Sequence, residues 1–132
     1  MMTSRATIGV IAINTHEACT NQGFITCIPN DHIPLCFLRQ WLQENVPAFS
    51  VRATGSTFKE ITKGIFRQLP IVVPPRGLVS AYENWSRPML DMVLSLERSQ
   101  RRLATSRDLL LPRLISGALP ISVVERELEA VA

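Results

Sequence analysis

From Leu78 onward the apolar residues step alternately by four and by three: Leu78, Tyr82, Trp85, Met89, Met92, Leu96, then Leu103 and Leu110, with Leu114 closing the row. Ser99, Ser106 and Arg113 fill the remaining steps of the same register, so eight of its eleven positions are apolar. A stripe this narrow, held over several heptads, is the pattern of a helix that meets another helix rather than a broad core. The spacing predicts a helix over 79–116, about 57 Å long at the usual rise per residue. A core built from the preceding residues cannot cover that length, and the helix is expected to protrude. Pro88 and Pro112 each remove one backbone bond at a cost of about 3 kcal/mol, which a long seam absorbs. Ser116-Gly117 supplies the stop, because glycine accepts the left-handed backbone there. Arg107 and Arg113 suit the negative end of the helix.

Upstream the pattern is shorter and mixed. Ile8–Ile13 and Phe24–Ile28 are β-branched runs that read as strands, separated by the turn Asn21-Gln22-Gly23. Pro34 opens a helix whose apolar face is Leu35, Leu38, Trp41, Leu42 and Val46, and Pro47 is expected to end or kink it. Gly55-Ser56-Thr57 is a polar loop, and Ile61–Phe66 reads as a helical turn weakened by Gly64. Leu69–Val73 is a third expected strand, confined to an edge by Pro70, and Pro74-Pro75 is a firm boundary. The elements predict an α+β chain: a mixed body over 1–76, one long coiled-coil helix over 77–117, and a tail over 118–132 that can form a short helix at 122–131.

Composition narrows the class. With 132 residues, 46% hydrophobic and 19% charged, the chain has the size and make-up of one soluble domain. No apolar run approaches the roughly 20 residues needed to cross a bilayer. The start, MMTSRATIG, lacks the apolar segment of a secretory signal. Cys19, Cys27 and Cys36 form no CxxC pair, and His16 and His32 complete no zinc pattern, so free thiols in a reducing cytoplasm are expected, with no metal and no cofactor.

The net charge of +3 is unevenly spread. Arg52, Lys59, Lys63 and Arg67 face only Glu60 in the segment 52–67, and Arg98, Arg101, Arg102, Arg107 and Arg113 outnumber Glu97 and Asp108 in 97–116. Such segments can track a phosphate backbone, and they can equally be solvated faces. There is no GxGxxG, GxxxxGK[ST] or GxSxG, and Val73 precedes Pro74-Pro75 where an amino-methyltransferase would carry Asp or Asn. His16, Glu17 and Cys19 are neighbours in one loop and do not make a convergent triad. The chain is expected not to be an enzyme.

Three stretches carry a resemblance. They are Thr3–Gly9 with Glu17–Gly23, then Gly55–Thr57 running through Ile61 to Leu69–Pro75, and finally Arg107–Gly117, RDLLLPRLISG. Their order and spacing resemble those of the specificity subunits of type I restriction-modification systems. The resemblance implies a mixed α/β target-recognition domain that reads one half of a split site in double-stranded DNA. It further implies a long helix that pairs antiparallel with a second helix and helps to form the platform for methyltransferase (M) subunits. The restriction (R) subunit joins the larger complex, and the specificity subunit itself catalyses nothing. In that family the SRATIG stretch lies mid-domain, whereas here it follows two methionines, so the chain is expected to be a C-terminal fragment with a truncated recognition domain. Arg76-Gly77 departs in a minor way from the Glu-Gln often found after the double proline.

Chemistry suggests which residues meet DNA. Arg5, with Ser4 and Thr7, can contact phosphates or base edges, or be satisfied within the fold. Asn21 and Gln22 can read adenine edges, although a turn-forming role suits them better. Ser56, Thr57 and Lys59 can position a phosphate, and Lys63 and Arg67, one turn apart, can extend that contact or stay solvated. Trp85, Met89 and Met92 belong to the helix seam, which is expected to hold a homodimer. The arginines beside it are read as flank and protein dock. A helix-mediated assembly module that no longer reads DNA is the alternative.

Overall fold

The folded arrangement starts from a reversal of the chain just after the N-terminus. In the computed structural model, which describes residues 1–120 together with Ser122 and Arg126, Ala6 (φ 59°) and Gly9 (φ 94°) both take left-handed backbone. They turn the chain so that residues 10–12 lie back alongside 1–3: the Thr3 N–H donates to the Val10 carbonyl at 3.0 Å, and the Ala12 N–H to the Met1 carbonyl at 2.9 Å. On the other side β1 (Met2–Thr3) pairs antiparallel with β2 (Phe24–Ile25). Gly9 has a second reason to be glycine, since a Cβ there would sit 2.4 Å from a methyl of Val46.

All three expected strands therefore differ, and Phe24–Ile28 is a strand only at Phe24–Ile25. Ile8–Ile13 contributes only an isolated bridge between Ile11 and Met2, because its first residues are spent in the turn. Leu69–Val73 forms no ladder: Pro70, Pro74 and Pro75 lack N–H groups to donate, and the segment connects rather than pairs. The α+β class stands, with a small two-stranded sheet and helices including the long one.

α1 (Leu35–Arg52) continues past Pro47. The carbonyl that this proline frees belongs to Gln43, which is exposed to water, so the lost bond does not end the helix. Its inner face supplies Leu38, Leu42 and Phe49, which pack with Met2, Ile25 and Ile61 as the buried core of the unit Met1–Pro88. Trp41, Phe49 and Phe66 form a ring triangle with centroids 5.5–6.3 Å apart, tilted or edge-on, as aromatic quadrupoles prefer. α2 (Lys63–Arg67) brings Phe66 into that triangle and is capped by the Thr62 hydroxyl, which accepts the Ile65 N–H at 3.3 Å.

α3 (Arg76–Ile115) is 40 residues long. Only Val79 among its side chains is buried. Glu83 ties its beginning to α1: one carboxylate oxygen accepts the Cys36 N–H at 2.9 Å. Pro34, the N-cap of α1, has no side chain to satisfy that N–H, so the carboxylate from α3 does the capping and also meets the positive end of the α1 dipole. Arg87, one turn on, lies 4.0 Å from the other oxygen of Glu83.

Met89–Ala132 forms the second unit. Within it Gly117 (φ 72°) terminates α3 as its sequence suggests. The Gly117 N–H donates to the Leu114 carbonyl at 3.1 Å, and the Leu119 N–H returns to the Arg113 carbonyl at 2.9 Å, satisfying two of the last carbonyls. Apart from Ser122 and Arg126, the short helix expected over 122–131 lies outside the described residues. Among the described residues no helix is long and apolar enough to cross a membrane.

The cap from Glu83 gives a stability test. Glu83→Ala leaves the Cys36 N–H without its acceptor and should lower unfolding free energy by about 1–2 kcal/mol, read as a lower urea midpoint with an unchanged slope.

Candidate nucleic-acid interface

The site is built around one buried serine. Ser4 is only 2% exposed. Its N–H donates to the Gly23 carbonyl at 2.8 Å, its carbonyl accepts the Ile61 N–H at 2.9 Å, and its hydroxyl reaches the Gln22 carbonyl at 3.5 Å. Three segments far apart in sequence, 4–7, 21–23 and 54–61, are thereby held side by side. Ser4 itself acts as their anchor, and no surface for DNA remains on it.

Arg5 follows the anchor and is exposed. Its backbone bridges Glu60, and its side chain lies 3.9 Å from the Glu60 carboxylate, with both side chains well solvated. An exposed pair of this kind contributes about 0–1 kcal/mol, so Arg5 can exchange Glu60 for a phosphate at small cost. Thr7 is exposed, and its carbonyl accepts from the Thr3 hydroxyl. Asn21 shapes the turn: its side-chain oxygen accepts the Gly23 N–H at 2.9 Å. The Asn21 amide oxygen is thus engaged, whereas the Gln22 side chain is exposed.

The loop Gly55–Lys59 is clamped at its base. The Thr54 N–H donates to Glu60 at 3.0 Å and the Glu60 N–H returns to Thr54 at 2.8 Å, while the Ala6 N–H holds the Lys59 carbonyl at 3.0 Å. Gly55 closes the loop at φ 125°, with its Cα so near the opposite backbone that a Cβ would meet the Phe58 carbonyl at 2.3 Å. Ser56, Thr57, Phe58 and Lys59 are exposed on it. Lys63 and Arg67 are exposed on α2, which follows directly. The structure thus brings Arg5, Thr7, Gln22, Ser56, Thr57 and Lys59 onto adjoining segments, and Lys63 and Arg67 lie on the helix that follows in the chain. Two further residues lie on these segments that the sequence reading did not single out, Glu60 and Phe58. The pairing of Glu60 with Arg5 needs the fold, whereas a phenylalanine inside a polar loop was a visible signal.

The arrangement offers hydroxyls, an amide and cations, without a nucleophile set against a base. Burial pushes the Cys27 thiol above its ordinary range, which keeps it neutral. Among the described residues, no three His, Cys, Asp or Glu side chains come together as a metal site.

On α3 the row picked out from periodicity is largely open to solvent. Leu78, Trp85, Met89, Met92, Leu96, Leu103 and Leu110 are exposed, Leu103 by 70%, and Tyr82 and Leu114 are half-buried. Val79, one position off the row, is the residue the first unit takes for its own packing.

Residues 1–77 match the family described as type I restriction modification DNA specificity domain, and the chain belongs to that family. It is also similar to the type I restriction enzyme HindI specificity subunit of Haemophilus influenzae, with 25% identity over 119 residues, covering 86% of this chain and 26% of that subunit. The chain thus spans about a quarter of the length of that relative, and a match of this extent takes in part of α3 as well as the body. No solved structure matches the chain.

Gly55→Ala tests the loop. It places a Cβ against the Phe58 carbonyl in a left-handed backbone and should destabilise the body by about 1–3 kcal/mol. Amide exchange should show the weakening concentrated at Thr54 and Glu60.

Proposed function

We propose that this chain is a DNA-specificity element of a type I restriction-modification system, or a C-terminal part of one. Residues 1–76 would be the recognition portion, 77–117 the helical spacer and 118–132 a tail. Double-stranded DNA is its ligand, bound through Arg5, Thr7, Gln22, Ser56, Thr57, Lys59, Lys63 and Arg67. Its protein partners are methyltransferase and restriction subunits, met in the cytoplasm, and it performs no catalysis of its own. The observation that carries this reading is the convergence of 4–7, 21–23 and 54–61 on Ser4, in a chain that belongs to the specificity family. Hydroxyls and cations on clamped backbone suit phosphate contacts that fix register, and Gln22 and Arg5 suit base edges.

The exposed row on α3 supports a second element of the reading, a homodimer through the helix. Tyr82, Met89, Leu96, Leu103 and Leu110 form one edge of the row, apolar throughout. The other edge is Leu78, Trp85 and Met92 in the first half but Ser99, Ser106 and Arg113 in the second. Parallel pairing would stack Ser99, Ser106 and Arg113 on their own copies, the last with like charges. Antiparallel pairing sets each edge against the other, so every polar position meets an apolar one. The same row suits the alternative function, an assembly module that docks without reading DNA.

A salt titration of duplex binding separates the two functions. The parent chain should bind duplex DNA with an affinity that falls steeply as salt rises. Replacing Lys63 and Arg67 together with Gln should flatten the slope of log affinity against log salt by about 1.8, since each phosphate that a cation neutralises adds roughly 0.9. No binding at low salt by a chain that still dimerises would leave the assembly module.

Leu96→Glu puts a charge at mid-row and should convert the dimer to monomer at micromolar concentration in light scattering. A parent chain that is already monomeric there would remove the homodimer.

A further inference from the structure

Phe58 is an exposed aromatic that serves neither the core nor the polar face around it, and the loop that carries it is tightly constrained. Phe49 and Phe66 lie in the ring triangle of the same unit, whereas Phe58 is 59% exposed. Thr57 and Lys59 on either side of it are exposed as well. The loop has only five residues, and both its ends are pinned: Thr54 and Glu60 exchange two backbone bonds, and Ala6 holds the Lys59 carbonyl. Gly55 presses so closely on the Phe58 carbonyl that no larger residue fits without a shift. The backbone that carries the ring is therefore set before any partner arrives, and binding has little left to order.

A single exposed apolar residue on a protein surface is ordinary. This one differs in its company. Arg5 lies on the neighbouring segment, Lys59 follows it, and Lys63 and Arg67 come shortly after. A ring set among cations and hydroxyls does not suit an apolar protein partner. It suits a polyanion that also offers flat apolar faces, and nucleic acid has both.

We propose that Phe58 is a wedge that enters between two base pairs of the bound duplex, partly unstacking them and bending the DNA. The proposal rests on the DNA-binding reading above and adds an element to it, because apolar insertion takes its selectivity from how easily a base step opens rather than from hydrogen bonds. Phosphate contacts by Lys59 and its neighbours would hold the backbone while the ring occupies the gap. The pyrimidine–purine steps that open most easily are the expected positions.

The test uses the full chain and a duplex recovered from a random-sequence pool by binding to the parent chain. 2-Aminopurine is placed at successive positions, since its fluorescence rises when stacking is broken. The parent should raise it at one step, and Phe58→Trp should do the same. Phe58→Ala should abolish the rise and weaken binding about tenfold, with the slope against log salt unchanged, because every phosphate keeps its cation. An unchanged thermal midpoint for Phe58→Ala shows that the fold is intact. Equal fluorescence and affinity for parent and Phe58→Ala overturn the wedge and leave the DNA-binding reading standing. A flat signal with both the parent and Phe58→Trp on a duplex they bind also overturns it. A parent chain that enriches no duplex from the pool overturns the reading and the wedge together.

Discussion

The hydrogen bonds of Ser4 are the constraint on which the proposed DNA-binding face depends. A serine that is buried must find partners for its backbone and its hydroxyl. Here they come from two different segments, Gln22 and Gly23 on one side and Ile61 on the other. Without that anchor, Arg5 would be one arginine on an N-terminal strand, and Lys59 one lysine in a loop. With it, the turn at Asn21 and the loop at Gly55 become neighbours. The left-handed backbone at Ala6, beside the anchor, lets the Ala6 N–H reach Lys59 and completes the joint. Ala6 carries a steric penalty that glycine would not, and the bonds on either side hold it there.

A second constraint governs α3. The first unit buries one residue of it, Val79, and caps α1 with another, Glu83. Those contacts fix where the helix begins without consuming its apolar row. The stretch RDLLLPRLISG ends the helix by a glycine turn that satisfies its last carbonyls internally. Leu109, Leu110, Leu111 and Ile115 remain exposed at that end. Among the described residues most of that row stays exposed, with Tyr82 and Leu114 half-buried, and it is the surface on which the proposed helix pairing rests.

Legibility follows the range of the interactions. Helices depend on neighbours three and four residues away, and periodicity places α1 and α3 to within a few residues at most of their ends. The exception is Pro47, which reads as an end or a kink because proline removes a bond, yet Gln43, whose carbonyl it frees, is an exposed residue and the helix continues to Arg52. The strands depart from expectation where pairing is decided at a distance. Ile8–Ile13 has strand composition, but the left-handed Ala6 gives no signal in sequence, and it spends part of that run on a turn. The candidate site is legible as a set of residue types and not as a constellation. Ser4 reads as a contact because serine is usually exposed, and only the fold reveals it as the buried joint. Phe58 is visible in sequence as one phenylalanine in a polar loop, and only the fold shows that it stays exposed.

The central claim is that the segments joined by Ser4 form the DNA-binding face. Backbone amide exchange, measured with and without duplex DNA at low salt, tests it most directly. The account predicts added protection at 5–7, 22–23 and 55–60, with α1 unchanged. Protection confined to α3, or to the α1 surface, would contradict it.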